Sequence, residues 1–115
     1  MKLILIVEDE KDIALLVSAI LHSEGFESKM AFEATAARKM IKKYKFDYIL
    51  LDLNLGTSLG LELMPAIRDF QLTNTEVIVV SAYSDLFIQK SVRAEGIKKF
   101  LKKPFNKKQL LLALK

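Results

Sequence analysis

The sequence predicts an α/β fold in which five parallel strands, each followed by a helix, form one doubly wound sheet. Three observations predict it. Short continuous apolar runs recur, as Leu3 to Val7, Tyr48 to Leu51 and Val77 to Val80. Such runs suit strands buried on both faces, the habit of parallel sheets. Segments of helical period separate them, and strands joined through helices run parallel, with right-handed crossovers covering both faces. The apolar runs also end abruptly in polar groups, where ligands of doubly wound sheets bind.

The elements follow in order. Leu3 to Val7 reads as the first strand, and Ile13, Leu16, Val17, Ile20 and Leu21 give the next helix its apolar stripe. Gly25 is placed to stop that helix. Phe26 to Ala31 is a weaker strand, as an edge strand would be. Thr35 to Tyr44 reads as a second helix with a basic outer face, and Tyr48 to Leu51 as the third strand. Leu59 to Asp69 makes a third helix, with Leu63, Ala66, Ile67 and Phe70 on one side. Pro65 within it either kinks the helix or marks its first turn. Val77 to Val80 is the fourth strand, Asp85 to Glu95 a helix ended by Gly96, and Lys99 to Leu101 a fifth, edge strand. Asn106 can cap a last helix that runs to Lys115.

Length and composition narrow the function. The 115 residues suit one domain, and 51% hydrophobic residues can build a core. The net charge is +4, with lysines gathered late, at 98, 99, 102, 103, 107, 108 and 115. That gathering reads as a solvated face, without direct nucleic-acid binding. The absence of cysteine excludes disulfides, zinc–thiolate sites and a thiol nucleophile, and fits the cytoplasm. No apolar run reaches transmembrane length, and three acids end the first run, so neither membrane span nor signal peptide is expected. Met1 directly before the first strand suggests that the domain opens its protein. The uncapped end at Lys115 suggests a longer chain.

A parallel sheet gathers its strand ends on one edge. The first run ends in Glu8, Asp9 and Glu10, the third in Asp52, the fourth in Ser81, and the fifth leads into Lys103-Pro104. Crowded carboxylates repel, and a hard divalent cation such as Mg²⁺ removes the conflict. Three carboxylates beside one lysine leave roughly two negative charges for such an ion to offset. The chemistry indicated is phosphoryl transfer with a carboxylate as the covalent acceptor.

Four stretches carry a resemblance over essentially the full length: "LIVEDE", "FDYILLDLNL", "VIVVSA" and "FLKKPF". Each is weak alone, but all four fall in order at strand ends. Together they resemble a receiver domain of the two-component response regulators, spanning residues 1–115. The resemblance implies a flavodoxin-like strand order of 2-1-3-4-5. It implies Mg²⁺-dependent transfer, with Mn²⁺ an alternative, from a histidine kinase or a histidine phosphotransfer domain. Asp52 would accept the phosphoryl group and bind the metal with Asp9 and the backbone carbonyl of Asn54. Glu8 would act on the metal through water. Ser81 would hydrogen-bond a phosphoryl oxygen, Lys103 would pair with another, and Phe100 would be the switching aromatic. A cis Lys103-Pro104 bond is expected, and Tyr83 and Asn54 lie near the path of a hydrolytic water. Output would pass through the face of the fourth helix, fifth strand and fifth helix, to an effector or a second copy.

The sequence also departs from the family pattern. Glu8 replaces the commoner aspartate, and Gly56 stands where a proline is usual, which loosens the expected loop 56–60. Phe100 lacks a tyrosine's hydroxyl, and Ile97 replaces an alanine. Lys98 and Lys99 stand where winged-helix regulators carry acids that pair across a dimer. Glu10 reads as a helix-start acid, His22 as solvent-exposed, and Tyr44, Phe46 and Tyr48 as packing. Met30, Met40 and Met64 read as core or gap fillers. Leu15, off the apolar stripe beside Ala14 and Ser18, is a candidate for the donor's docking surface. A nucleotide- or flavin-binding domain is disfavoured, because "EDEKD" puts acids where a phosphate cradle needs glycines. The alternative within the family is a degenerate receiver used as a phosphorylation-independent interaction module.

Overall fold

A computed structural model describes residues 1–55, 58–83 and 86–114. The expected loosening at Gly56, the helix start at Asp85 and the terminal Lys115 lie outside these residues. Five parallel strands form the main sheet: β1 (Leu3–Val7), β2 (Glu27–Ala31), β3 (Tyr48–Asp52), β4 (Glu76–Ser81) and β5 (Lys99–Lys102). Their order is β2-β1-β3-β4-β5, the order expected. Asn54–Leu55 and Ser58–Leu59 add a small antiparallel hairpin after β3.

Five helices connect and cover the sheet: α1 (Lys11–Ser23), α2 (Ala34–Lys43), α3 (Met64–Phe70), α4 (Leu86–Ala94) and α5 (Lys107–Ala113). Two apolar clusters lie on its two faces. One joins Ile49, Leu51 and Val79 to Ile41, Ile67 and Val92 of α2, α3 and α4. The other joins Ile4, Leu50 and Ile78 to Val17, Leu21 and Leu110 of α1 and α5. Successive strand residues alternate between these faces, as the pleat requires. All five residues of β3 are buried, which accounts for its unbroken apolar run up to Asp52.

The structure refines several expectations. In α1 the buried residues are Ala14, Val17 and Leu21, while Leu16 is 62% exposed. Leu16 therefore leaves the core stripe, and Ala14 cannot serve a docking surface. At about 100° per residue Ala14, Val17 and Leu21 span roughly 60° of arc, and Leu16 falls about 100° outside it. Leu15 is exposed as expected, and so is His22. Gly25 adopts φ +86°, a left-handed conformation natural to glycine after a helix. Residues 60–63 form a 3-10 turn, and α3 proper begins at Met64, with Pro65 in its first turn. Phe26 lies outside β2. Phe46 and Tyr48 are buried and Tyr44 packs edge-on to Phe46, in keeping with packing roles. Met64 is buried, and Met30 and Met40 pack partly buried against the two clusters.

Candidate functional site

The carboxyl ends of β1, β3, β4 and β5 converge because parallel strands all point one way. Glu8 follows β1 directly and is buried, whereas Asp9 and Glu10 are exposed at the start of α1. Asp52 closes β3 and Ser81 closes β4, and both are buried. The backbone N–H of Lys103 donates to the carbonyl of Ser81 at 2.8 Å, tying the end of β5 to that of β4. The Lys103-Pro104 bond is cis, as expected.

Lys103 joins two buried acids. Its ammonium donates to Glu8 Oε1 at 2.6 Å and to Asp52 Oδ2 at 3.0 Å. The other oxygen of Asp52 accepts the backbone N–H of Asn54 at 3.0 Å. The second oxygen of Glu8 accepts the N–H of Glu10 at 3.3 Å. Ser81 Oγ accepts the N–H of Tyr83 at 3.0 Å. A hydroxyl accepting a bond still has its own proton to give.

The charges are only partly balanced. Burial pushes the Glu8 carboxyl up to about pKa 7, and the neighbouring Asp52 adds to the rise while Lys103 opposes it. Burial alone would lower the Lys103 ammonium, but its bonds to Glu8 and Asp52 outweigh burial and raise it. Carboxylate oxygens of Glu8, Asp9 and Glu10 all lie within 4.8 Å of one another. This oxygen-only donor set fits a hard divalent cation and offers nothing to a soft one. Glu10, read from the sequence as a helix-start acid, thus stands within the same cluster.

Phe100 is half-buried on β5, in register with Val79, and packs on the cluster beneath α4. Ser81 lies two residues beyond Val79, so both Ser81 and Phe100 belong to the α4 side of the sheet.

Sequence reasoning missed the part played by Gly60. Its backbone N–H donates to Leu53 at 2.9 Å. A Cβ there would stand 2.1 Å from the carbonyl oxygen of Asp52, a distance no side chain tolerates. Glycine is therefore required for the chain to return against the strand end that holds Asp52. Only the loop's composition hinted at this.

The sequence matches the family described as response regulator receiver domain over residues 4–115. The nitrogen assimilation regulatory protein NtrX of Azorhizobium caulinodans is 34% identical over 95% of this chain and 24% of its own length. The cell cycle transcriptional regulator CtrA of Caulobacter vibrioides is 29% identical over 94% of this chain and 46% of its own. The chain thus spans about a quarter to a half of the length of such curated relatives. A response regulator from Burkholderia pseudomallei superposes with a TM-score of 0.92 at 27% identity, covering 100% of this chain and 67% of that one. That structure contains a phosphorylated aspartic acid and a calcium ion. A shared fold over the whole chain, an acid cluster at the strand ends and a family match over residues 4–115 lead to one assignment: this chain belongs to the response regulator receiver domains, which are phosphorylatable signalling modules.

Proposed function

We propose that the domain is a cytoplasmic switch that accepts a phosphoryl group on Asp52 from a histidine kinase or a histidine phosphotransfer domain. One observation carries this reading: Asp52 ends the central strand, buried, with Lys103 at 3.0 Å and the acid cluster of β1 beside it. An oxygen of Asp52 attacks phosphorus, forming an O–P bond. The P–N bond to the donor imidazole breaks, and its electron pair stays on nitrogen. Lys103 shifts from the carboxylate to a phosphoryl oxygen, and Ser81 turns its proton toward another. Asp9, Asp52 and the Asn54 carbonyl would hold Mg²⁺ or Mn²⁺, with Glu8 acting through water, and the ion supplies positive charge to the phosphoryl oxygens. Water later hydrolyses the acyl phosphate and resets the domain.

The test is chemical. Incubation with acetyl phosphate and Mg²⁺ should add one phosphoryl mass to the chain, and Asp52→Asn should remain unmodified. An unmodified wild type would favour the degenerate-receiver reading. Labelling of the Asp52→Asn variant would move the acceptor elsewhere.

A further inference from the structure

Positive charge gathers around α2. Residues 28–46 carry six lysines and arginines against one acid, Glu33, for a net +5, more than the +4 of the whole chain. Four of the six, Arg38, Lys39, Lys42 and Lys43, lie on α2 itself. At about 100° per residue they fall within roughly 140° of arc, opposite the buried Ala37 and Ile41. A solvated helix face commonly sets acids among its lysines as i,i+4 pairs. α2 contains no acid. Among the described residues the one ion pair made by these six cations is Arg38 with Glu62, at 3.9 Å and open to water.

Two aromatic residues hold the cations together. The Tyr44 ring carries Lys29 at 4.3 Å and Lys43 at 5.3 Å from its centroid. Lys42 lies 5.5 Å from the centroid of Phe70, and Lys45 donates to the Phe70 carbonyl. The rings offset part of the repulsion among the ammoniums. Lys39, Lys42, Lys43 and Lys45 remain exposed. Beside them Phe70 is 38% exposed and Leu72 57%. Lys43 and Lys45 precede β3, and Phe70 and Leu72 precede β4, so they stand toward the amino edge of the sheet. Asp52 closes β3 at the opposite, carboxyl edge.

We propose that Lys39, Lys42, Lys43 and Lys45, with Phe70 and Leu72 as apolar tips, dock the domain on an anionic lipid surface. No helix among the described residues is long and apolar enough to cross a membrane, so the contact is peripheral. A cluster of about four to eight cations beside exposed apolar side chains suits such a surface. The outer face of a helix is convex, and a broad lipid surface meets it without the groove that a peptide segment needs. Duplex nucleic acid would use the cations but leave Phe70 and Leu72 without a role, since its contacts are mostly to phosphate and sugar. Docked this way, the Asp52 edge faces away from the lipid. The proposal does not depend on the phosphoacceptor reading, because the two sites lie at opposite edges of the sheet.

The probe is a vesicle of equal parts phosphatidylglycerol and phosphatidylcholine, sedimented with the domain at low salt. The domain should pellet with these vesicles and stay in solution with phosphatidylcholine alone, and added salt should release it. Each lysine near an anionic surface contributes about fivefold to binding, so Lys42→Gln/Lys43→Gln should weaken it about twentyfold. Lys107→Gln/Lys108→Gln on α5 removes the same charge from exposed positions elsewhere and should change binding by less than about threefold. Leu72→Ser should weaken binding several-fold. All these changes are at the surface, and unchanged melting temperatures verify the fold. The proposal is overturned if anionic vesicles do not bind, or if phosphatidylcholine alone binds as well. It is overturned too if the α5 pair matters as much as the α2 pair, which would make net charge the cause. Tighter binding of duplex DNA or of polyglutamate than of anionic vesicles, lost in Lys42→Gln/Lys43→Gln, would give the face to nucleic acid or to an acidic protein instead. Acetyl phosphate labelling in the absence of lipid tests the phosphoacceptor separately, so failure of either reading leaves the other standing.

Discussion

Glu8 shows how one residue's surroundings set a measurable property. Its carboxyl is pushed up to about 7 by burial and by Asp52, so the folded domain holds this proton more tightly than the unfolded chain does. The contribution to stability is complete below the ordinary value of 4.5 and is lost as pH rises through about 7. Metal-free domain should therefore lose thermal stability between these values. Glu8→Gln should flatten that slope, and Mg²⁺ near neutral pH should restore stability to the wild type. A melting temperature independent of pH over this window, without metal, would contradict the assigned environment. Lys103 does not confuse the measurement, since its raised ammonium loses its proton only at alkaline pH. Gly60 gives a second test. Gly60→Ala must push a methyl group into the backbone of Asp52 and should cost about 1–3 kcal/mol, read by urea melts. It should also slow phosphoryl uptake, because the displaced atoms belong to the proposed acceptor.

Helices separate pattern from packing. Leu16 satisfies the helical period, yet it is exposed, while the smaller Ala14 is wholly buried. Leu16→Lys should therefore change stability by no more than about 0.5 kcal/mol, whereas Ala14→Leu should cost about 1–3 kcal/mol by overpacking. Equal losses in denaturant midpoints would put both residues in the core. The α5 helix shows the opposite case, where local sequence suffices. Asn106 accepts the N–H of Gln109 at 2.8 Å, and Gln109 returns the bond to the N–H of Asn106 at 2.9 Å. This capping box closes a helix that is otherwise short. Asn106→Ala should cost about 1 kcal/mol, with hydrogen exchange accelerated at the start of α5.

At the scale of the whole molecule, the site and the α4 face are joined by two adjacent strand ends. Ser81 lies at the end of β4, and the half-buried Phe100 lies on β5 against Val79. A phosphoryl group on Asp52 would draw the Ser81 hydroxyl toward it and free space on the α4 side. Phe100 still has ring surface to bury and no hydroxyl to strand, and burying such a ring yields roughly 1.5–3 kcal/mol when complete. Structures with and without beryllofluoride should differ in the rotamers of Ser81 and Phe100 and in the position of α4. Unchanged rotamers in both would send the signal by another route.

Apart from the short hairpin of Asn54–Leu55 and Ser58–Leu59 and the 3-10 turn at residues 60–63, which it did not show, the sequence alone determined the five main strands and five helices in their order, the parallel sheet and the positions of Glu8, Asp52, Ser81 and Lys103 at strand ends. It could do so because these depend on local period and on the polarity change where a buried strand meets solvent. The cap at Asn106 and the stop at Gly25 were legible for the same reason. Tertiary structure decided what depends on residues distant in sequence. Lys103 is shared between Glu8, 95 positions away, and Asp52, and no local pattern specifies that geometry. The exposure of Leu16 and the burial of Ala14 followed from which arc of α1 faces the sheet. Gly60 became necessary only because the chain folds back against Asp52 at van der Waals distance, a constraint that composition signals but cannot place.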